Sequence, residues 1–256
     1  MTAPDVLETP QGRRIAYHRT ERTGPGTGPG TGPGIVFLGG FRSDMEGTKA
    51  LHVEAWARAR GRPVLRFDYS GHGQSSGRFE DGAIGDWAED ALAAITALTH
   101  GPQILVGSSM GGWIALLVAQ RLAGRVAGLV GIAAAPDFTA TMEAAFTEAD
   151  RAALARHGRI ERPSDYAPDP YVFTRRLFED GRRHLVLTAP LELPFPVRLL
   201  QGTADADVEP AVALRLLAHA KGPDIRLTLV KDADHRFSSP ACLQLIEQSI
   251  AEVAQD

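Results

Sequence analysis

Residues 104–113 constrain this chain more than any other stretch. They read I-L-V-G-S-S-M-G-G-W. A short apolar run meets a turn with a glycine on each side of a serine, and a long apolar helical pattern begins at once. Strand, sharp turn and helix in that order suit a strand of a parallel sheet handing over to a helix packed on it. Gly107 and Gly111 lack Cβ atoms, so strand and helix can close up around Ser109. The turn puts the Ser109 hydroxyl at a helix N-terminus, where developing negative charge is favoured. Ser109 is therefore a candidate nucleophile.

The rest of the chain supplies a frame for such a strand. Residues 6–19 read as a β-hairpin turning at Pro10-Gln11-Gly12, with Ile15 and Tyr17 alternating with polar residues. Residues 23–34 repeat Thr-Gly-Pro-Gly three times. Prolines remove backbone donors there and no Lys-Ser/Thr pair follows, so a flexible surface loop is expected and a phosphate cradle is not. Strands are expected at 35–38, 64–68, 104–106 and 126–135. Helices are expected at 47–60, with Leu51, Ala55 and Trp56 on one side, at 87–98 and at 112–122. This alternation predicts an α/β fold, a mostly parallel central sheet with helices on both faces.

Residues 137–190 break the rhythm. Thr147-x-x-Asp150 reads as a capping box before a helix ending at Gly158. Asp169-Pro170 reads as the start of a second, with Phe173 and Leu177 on one face and Gly181 at its end. The pattern suggests no strand between them. A small helical cap inserted over one end of the sheet is expected. The rhythm then returns with strands at 197–200 and 225–230, a helix at 210–219, and a last helix from Ser239-Pro240 to about residue 253.

A serine hydroxyl needs a base, and the base needs an orienting carboxylate. In a sheet of this kind the chain order is serine, acid, histidine, each just past a strand's C-terminal end. His235 alone of eight histidines follows a late strand and precedes the last helix. His72, in the glycine-rich loop after the second parallel strand, is a weaker candidate for substrate contact. Asp205 directly follows the Gln201-Gly202 turn and is the favoured acid; Asp207 is the alternative, and Asp234 reads as a loop-stabilising residue. An oxyanion would need two preorganised donors. The Met110 amide follows the serine, and the Phe41 amide lies in the exit loop of the first parallel strand. Their side chains would line an apolar acyl pocket.

With 256 residues, the length suits one large α/β domain. The formal charge is −4 and no basic run exists, which argues against nucleic acid as a partner. No N-terminal leader pattern and no apolar run of ~20 residues is present, so a cytoplasmic protein without a membrane span is expected. The single cysteine, Cys242, reads as a core residue. Three lysines against abundant arginine and alanine suggest a GC-rich bacterial genome. No cofactor is implied and no metal is expected, since Asp205, Asp207 and His235 lack a tight ligand spacing in sequence.

Taken together, these residues resemble the α/β-hydrolase superfamily over nearly the whole chain. G-F-R-S-D-M-E-G-T-K-A, R-F-D-Y-S-G-H-G-Q-S-S-G, G-P-Q-I-L-V-G-S-S-M-G-G-W and R-L-L-Q-G are similar to one branch of it. That branch includes a mitochondrial palmitoyl-protein thioesterase that is also an acyl-glucuronide esterase. The resemblance implies cofactor-free hydrolysis of acyl thioesters or esters, with Ser109, Asp205 and His235 as nucleophile, acid and base. Two departures stand out: Gly39-Gly40 and Gln201-Gly202 occupy places where the superfamily often has His-Gly. Small or acylated molecules would be the partners. Two other readings use the same fold: a cofactor-free haloperoxidase or perhydrolase, and a ligand-binding module without turnover. A haloalkane dehalogenase is disfavoured, because its nucleophile is a carboxylate.

Overall fold

The computed structural model describes residues 3–21, 32–163 and 169–255. Residues 23–31 of the Thr-Gly-Pro-Gly stretch, expected to be a flexible loop, lie outside them.

Strands β1 (Asp5–Glu8) and β2 (Arg14–Thr20) form the expected antiparallel hairpin. After it, β3 (Gly34–Leu38), α1 (Thr48–Ala59), β4 (Val64–Phe67), α2 (Ile84–Leu98), β5 (Gln103–Ser108), α3 (Met110–Arg121) and β6 (Val126–Ile132) alternate as expected. Following β6 come α4 (Phe138–Ala144), α5 (Glu148–His157), β7 (Arg159–Arg162), β8 (Tyr171–Thr174) and α6 (Arg175–Gly181). The chain closes with β9 (Leu191–Glu192), β10 (Val197–Gly202), α7 (Pro210–His219), β11 (Ala220–Lys221), β12 (Ile225–Val230) and α8 (Pro240–Ala254).

Eight of these strands make one sheet in the order β1-β2-β4-β3-β5-β6-β10-β12. From β4 to β12 every pairing is parallel, and β2 joins β4 antiparallel. Alternation along each strand feeds two cores. Ile35, Phe37, Ile104 and Val106 face α1 and α8, while Val36, Leu38 and Leu105 face α2 and α3. Cys242, Ile246, Ile250 and Val253 form the stripe by which α8 joins the first of these cores. Helix α3 is buried from Met110 to Ala119, because it lies between the sheet and α2. Each large apolar side chain so buried contributes roughly 1.5–3 kcal/mol.

The order of the strands decides where a site can form. From β3 the chain steps to β4 on one side, then returns past β3 to place β5 on the other. The C-terminal ends of β3 and β5 therefore diverge at a topological switch point, where open α/β sheets leave a crevice. Gly40-Phe41 leave from β3 and Ser109 from β5.

Three local expectations are corrected. Residues 159–174 form an antiparallel hairpin, β7 with β8, where no strand was expected. Ile160, Tyr171, Val172 and Phe173 are β-branched or aromatic and pair across the gap, which outweighs the helix-start signal of Asp169-Pro170. Helix α6 starts later, at Arg175, capped by the Thr174 hydroxyl accepting from Leu177 N at 3.2 Å. On α1 the buried stripe is Ala50, Val53, Trp56 and Ala57, not Leu51 and Ala55. The Thr147–Asp150 capping box is present as the spacing predicts, with Gly158 as the left-handed stop. The two ends of the insertion are fastened together, because the Asp137 carboxylate accepts from Val186 N at 2.8 Å and Leu187 N at 2.9 Å.

Candidate active site

Ser109 sits between β5 and α3 with φ 54° and ψ −120°, outside the ordinary regions for a side-chain-bearing residue. Such a conformation costs about 1–3 kcal/mol and persists only where its surroundings enforce it. Here they do. The Ser109 amide donates to Ile132 O at 2.9 Å, and the Ser109 carbonyl accepts from Gly112 N at 2.9 Å and Ala135 N at 3.1 Å. Close approach also enforces it: a Cβ on Gly111 would stand 2.0 Å from Leu38 O, and one on Gly107 would stand 2.4 Å from Gly111 O. The glycines on either side of the serine are thus required by backbone contact on both flanks.

The late loops bring the partners. His235 follows β12, and its Nε2 accepts from the Ser109 hydroxyl at 3.0 Å. Its Nδ1 donates to Asp205 Oδ2 at 2.9 Å. Three residues spread over a span of 126 positions thus form one hydrogen-bonded chain, and the acceptor on Nδ1 fixes the tautomer. Of the two sequence candidates for the acid, Asp205 makes this contact. Asp207 does not orient the imidazole, although its amide donates to Asp205 Oδ1 at 3.0 Å. Asp234 accepts from Phe237 N at 3.1 Å, within its own loop. The loops after β10 and β12 are joined to each other: Ala204 N donates to Ala233 O, and Asp232 N to the Thr203 hydroxyl.

The Asp205 side chain is fully buried. Burial alone would raise its pKa, but hydrogen bonds from His235, Val208 N and Gln201 outweigh it and hold the carboxyl below its usual range. The Gln201 amide nitrogen donates to Asp205 Oδ2 at 2.8 Å and to Val208 O at 2.9 Å. Sequence reasoning registered Gln201 only as a departure from a histidine. Its structural position shows a side chain that braces the acid from below.

The donors for an oxyanion flank the serine. Met110 is the first residue of α3, so its N–H is one of the helix's free amides. Phe41 follows Gly40, whose Cα runs so close to the serine that a Cβ there would lie 3.4 Å from Ser109 Cβ. The Phe41 ring is wedged among aromatics, stacked on Phe173 at 5.0 Å and edge-on to Phe79 at 4.7 Å. The next residue, Arg42, has φ 55°. Its amide donates to His72 Nε2 at 3.3 Å, while His72 Nδ1 donates to Ser70 O at 3.2 Å. His72 is 4% exposed and enclosed by the rings of Tyr69, Phe79 and Trp87. Burial pushes its pKa down to about 4, so it is a neutral acceptor at pH 7. His72 thus braces the Phe41 loop rather than facing substrate. Its partner lies thirty residues away, and no local pattern announces it.

Two cavities open from Ser109 and His235. The larger, about 620 Å³, is walled by Phe41, Met110, Phe138, Met142, Phe173 and Val212, among others. The smaller, about 380 Å³, lies against Arg42, Ser43, Asp44, Lys49, Arg236 and Ser238. The ligand atoms of Asp205, Asp207 and His235 fall within 4.8 Å of one another, so the structure brings together a set that sequence spacing did not. Two of the three are already bonded to each other in the serine chain. Among the described residues no helix is long and apolar enough to cross a membrane.

Comparison with known proteins gives a consistent picture. Residues 35–255 match the alpha/beta hydrolase family. The bovine mitochondrial palmitoyl-protein thioesterase ABHD10 is 33% identical over 253 residues, covering 98% of this chain and 80% of that protein. A crystal structure from Agrobacterium vitis S4 is 42% identical with a TM-score of 0.93, covering 98% of each chain. The mouse alpha/beta hydrolase domain-containing protein 10 is 31% identical with a TM-score of 0.89, covering 99% of each.

Proposed function

Given that the chain belongs to the alpha/beta hydrolase family, we propose that it is a serine hydrolase cleaving acyl thioesters or carboxylic esters through an acyl-enzyme. The observation that carries this reading is the chain Ser109 Oγ, His235 Nε2 and Nδ1, Asp205 Oδ2, with links of 3.0 and 2.9 Å. Ser109 attacks the acyl carbonyl carbon and its proton passes to His235 Nε2. The negative charge that forms on the carbonyl oxygen falls to the amides of Phe41 and Met110. Asp205 holds the imidazole and stabilises it while it is charged. His235 then gives the proton to the departing thiolate or alkoxide, leaving Ser109 acylated. Water repeats the sequence from the other side, with His235 as base, and the acid leaves.

The larger cavity favours an apolar acyl portion. Its volume lies within the roughly 300–1,000 Å³ of ordinary ligand pockets, and the aromatic and aliphatic walls suit a fatty chain. The relatives named as palmitoyl-protein thioesterases support the thioester as the bond class. The test is turnover of p-nitrophenyl esters and acyl thioesters of rising chain length, beside fluorophosphonate labelling of Ser109. Turnover that rises with chain length and disappears in Ser109→Ala supports the reading. Labelling without turnover of any member would leave a binding module instead.

A further inference from the structure

With the acyl chain in the larger cavity, the smaller one is left for the departing half of the substrate. It shares Ser109 and His235 with the larger cavity, and Arg236 and Ser238 continue the loop from His235 along its wall. Three cationic side chains, Arg42, Lys49 and Arg236, line it against the single carboxylate of Asp44. In a chain of formal charge −4 this is a locally positive wall. Lys49 is one of three lysines in the sequence and the only one near the site. It is half-buried, and its ammonium donates to the Arg236 carbonyl, one residue from the candidate base. An ammonium has three donors, so that bond leaves others for a ligand. Arg42 is held by a bond from Nη1 to Pro170 O at 2.8 Å and by the rings of Phe79 and Tyr171 against its guanidinium. Both cations are therefore positioned before any ligand arrives.

We infer that this cavity receives a leaving group bearing a carboxylate or phosphate, with Lys49 and Arg42 as its counter-charges. The inference rests on the serine-hydrolase reading and narrows it to substrates whose departing half is anionic. An ionised acceptor on fixed cationic donors forms charge-assisted hydrogen bonds, which are stronger than those of a neutral isostere. Asp44 lies at the same wall and its amide neighbour Glu46 N donates to it at 2.9 Å, which partly satisfies that carboxylate within its own turn.

Matched octanoyl thioesters test this. One pair is N-acetylcysteine against N-acetylcysteinamide, which differ by a carboxylate. The other is 4′-phosphopantetheine against pantetheine, which differ by a phosphate. At pH 7 and low salt, kcat/KM should favour the anionic member of at least one pair by about tenfold. Preference in one pair alone identifies which anion the cavity takes. In Lys49→Gln and in Arg42→Gln the ratio within a pair should fall toward one, whatever happens to the absolute rates. A wild-type ratio of one or less in both pairs overturns the inference, as does a ratio unchanged in both variants. If the wild type turns over the neutral members and labels at Ser109, that failure leaves the hydrolase reading standing. If it does neither, the hydrolase reading itself fails and this inference falls with it.

Discussion

The two cavities that meet at Ser109 are built from different parts of the chain. The larger takes much of its apolar wall from the insertion at 138–173, which lies outside the repeating strand-helix pattern, with Val212 added from α7. The smaller is made almost wholly by the loop after β3, the first turns of α1 and the loop after β12, all parts of the sheet's own connections. The first is mainly apolar, with Arg162, Asp207 and Glu209 also on its wall; the second sets Arg42, Lys49 and Arg236 against the single carboxylate of Asp44. The difference teaches that acyl and leaving-group selectivity can change separately here, because among the described residues only Phe41, Ser109, Tyr171 and His235 line both spaces.

Removing a shared group should abolish the distinction. Ser109→Ala is expected to lower turnover by at least ~1,000-fold for every acyl chain and every leaving group alike. The protein should still melt cooperatively, and substantial activity in that variant would dissolve the comparison, since the two cavities would no longer meet at the reacting atom. A smaller shared effect is expected from His72, which touches neither cavity. His72→Ala releases the Arg42 amide and with it the turn that presents Phe41. Since one oxyanion donor is worth on the order of 100-fold, a loosened one should cost about 10-fold or more in kcat with KM little changed. His72→Gln should recover part of that loss, because its amide oxygen can accept the same N–H. A loss confined to one substrate class would mean that His72 acts on one cavity rather than on their common wall.

How far these regions could be read in advance follows from the range of the interactions that form them. The elbow was legible because the close backbone approach on both flanks of Ser109 leaves a local trace in Gly107 and Gly111, and the sheet because β3 to β6 alternate with helices at regular spacing. Asp205 and His235 were legible as positions after late strands, though only the fold brings them within 2.9 Å. The hairpin of β7 and β8 was not, since its pairing joins two four-residue runs across eight intervening residues and Pro170 imitates a helix start. Nor was the buried stripe of α1. Apolar residues occur on several sides of that helix, and packing against α8 and the sheet selects among them. The bracing role of His72 depends on Arg42 N, thirty positions away, and that of Gln201 on the turn that folds Asp205 back onto it four residues on, so neither has a motif. The smaller cavity was invisible for the same reason: Lys49 and Arg236 are 187 positions apart.

Filling the larger cavity should sharpen the contrast. Val212 lines it from α7, away from the smaller one. Val212→Trp should lower kcat/KM for long acyl chains by about tenfold, the equivalent of roughly two methylenes left unburied. Acetyl esters should change little, and the anionic-to-neutral ratio of leaving groups should not move at all. A fall in that ratio would show that the two spaces are coupled through the insertion.

The smallest expected effect concerns the charged side alone. Burial pushes Lys49 down to about 8, while the Asp234 carboxylate acts in the opposite sense and the Arg236 guanidinium adds to the lowering. The Cys242 thiol on α8 is the further titratable neighbour, and Arg42, Asp44 and His235 share the cavity wall. Lys49 is a cation below about pH 8 and neutral above it, so its pull on an anionic leaving group should weaken as pH rises through that value. Between pH 7 and pH 9 the anionic-to-neutral ratio should decline by about threefold, with Arg42 and Arg236 supplying what remains. Taking the ratio at each pH cancels the titration of the shared base, which acts on both members of a pair. Lys49→Arg keeps its charge throughout and should flatten the profile. A decline that persists in Lys49→Arg would assign the titration to another neighbour, with Cys242→Ala as the next variant to measure. A ratio flat in the wild type would mean that the positive wall is held by the two arginines alone.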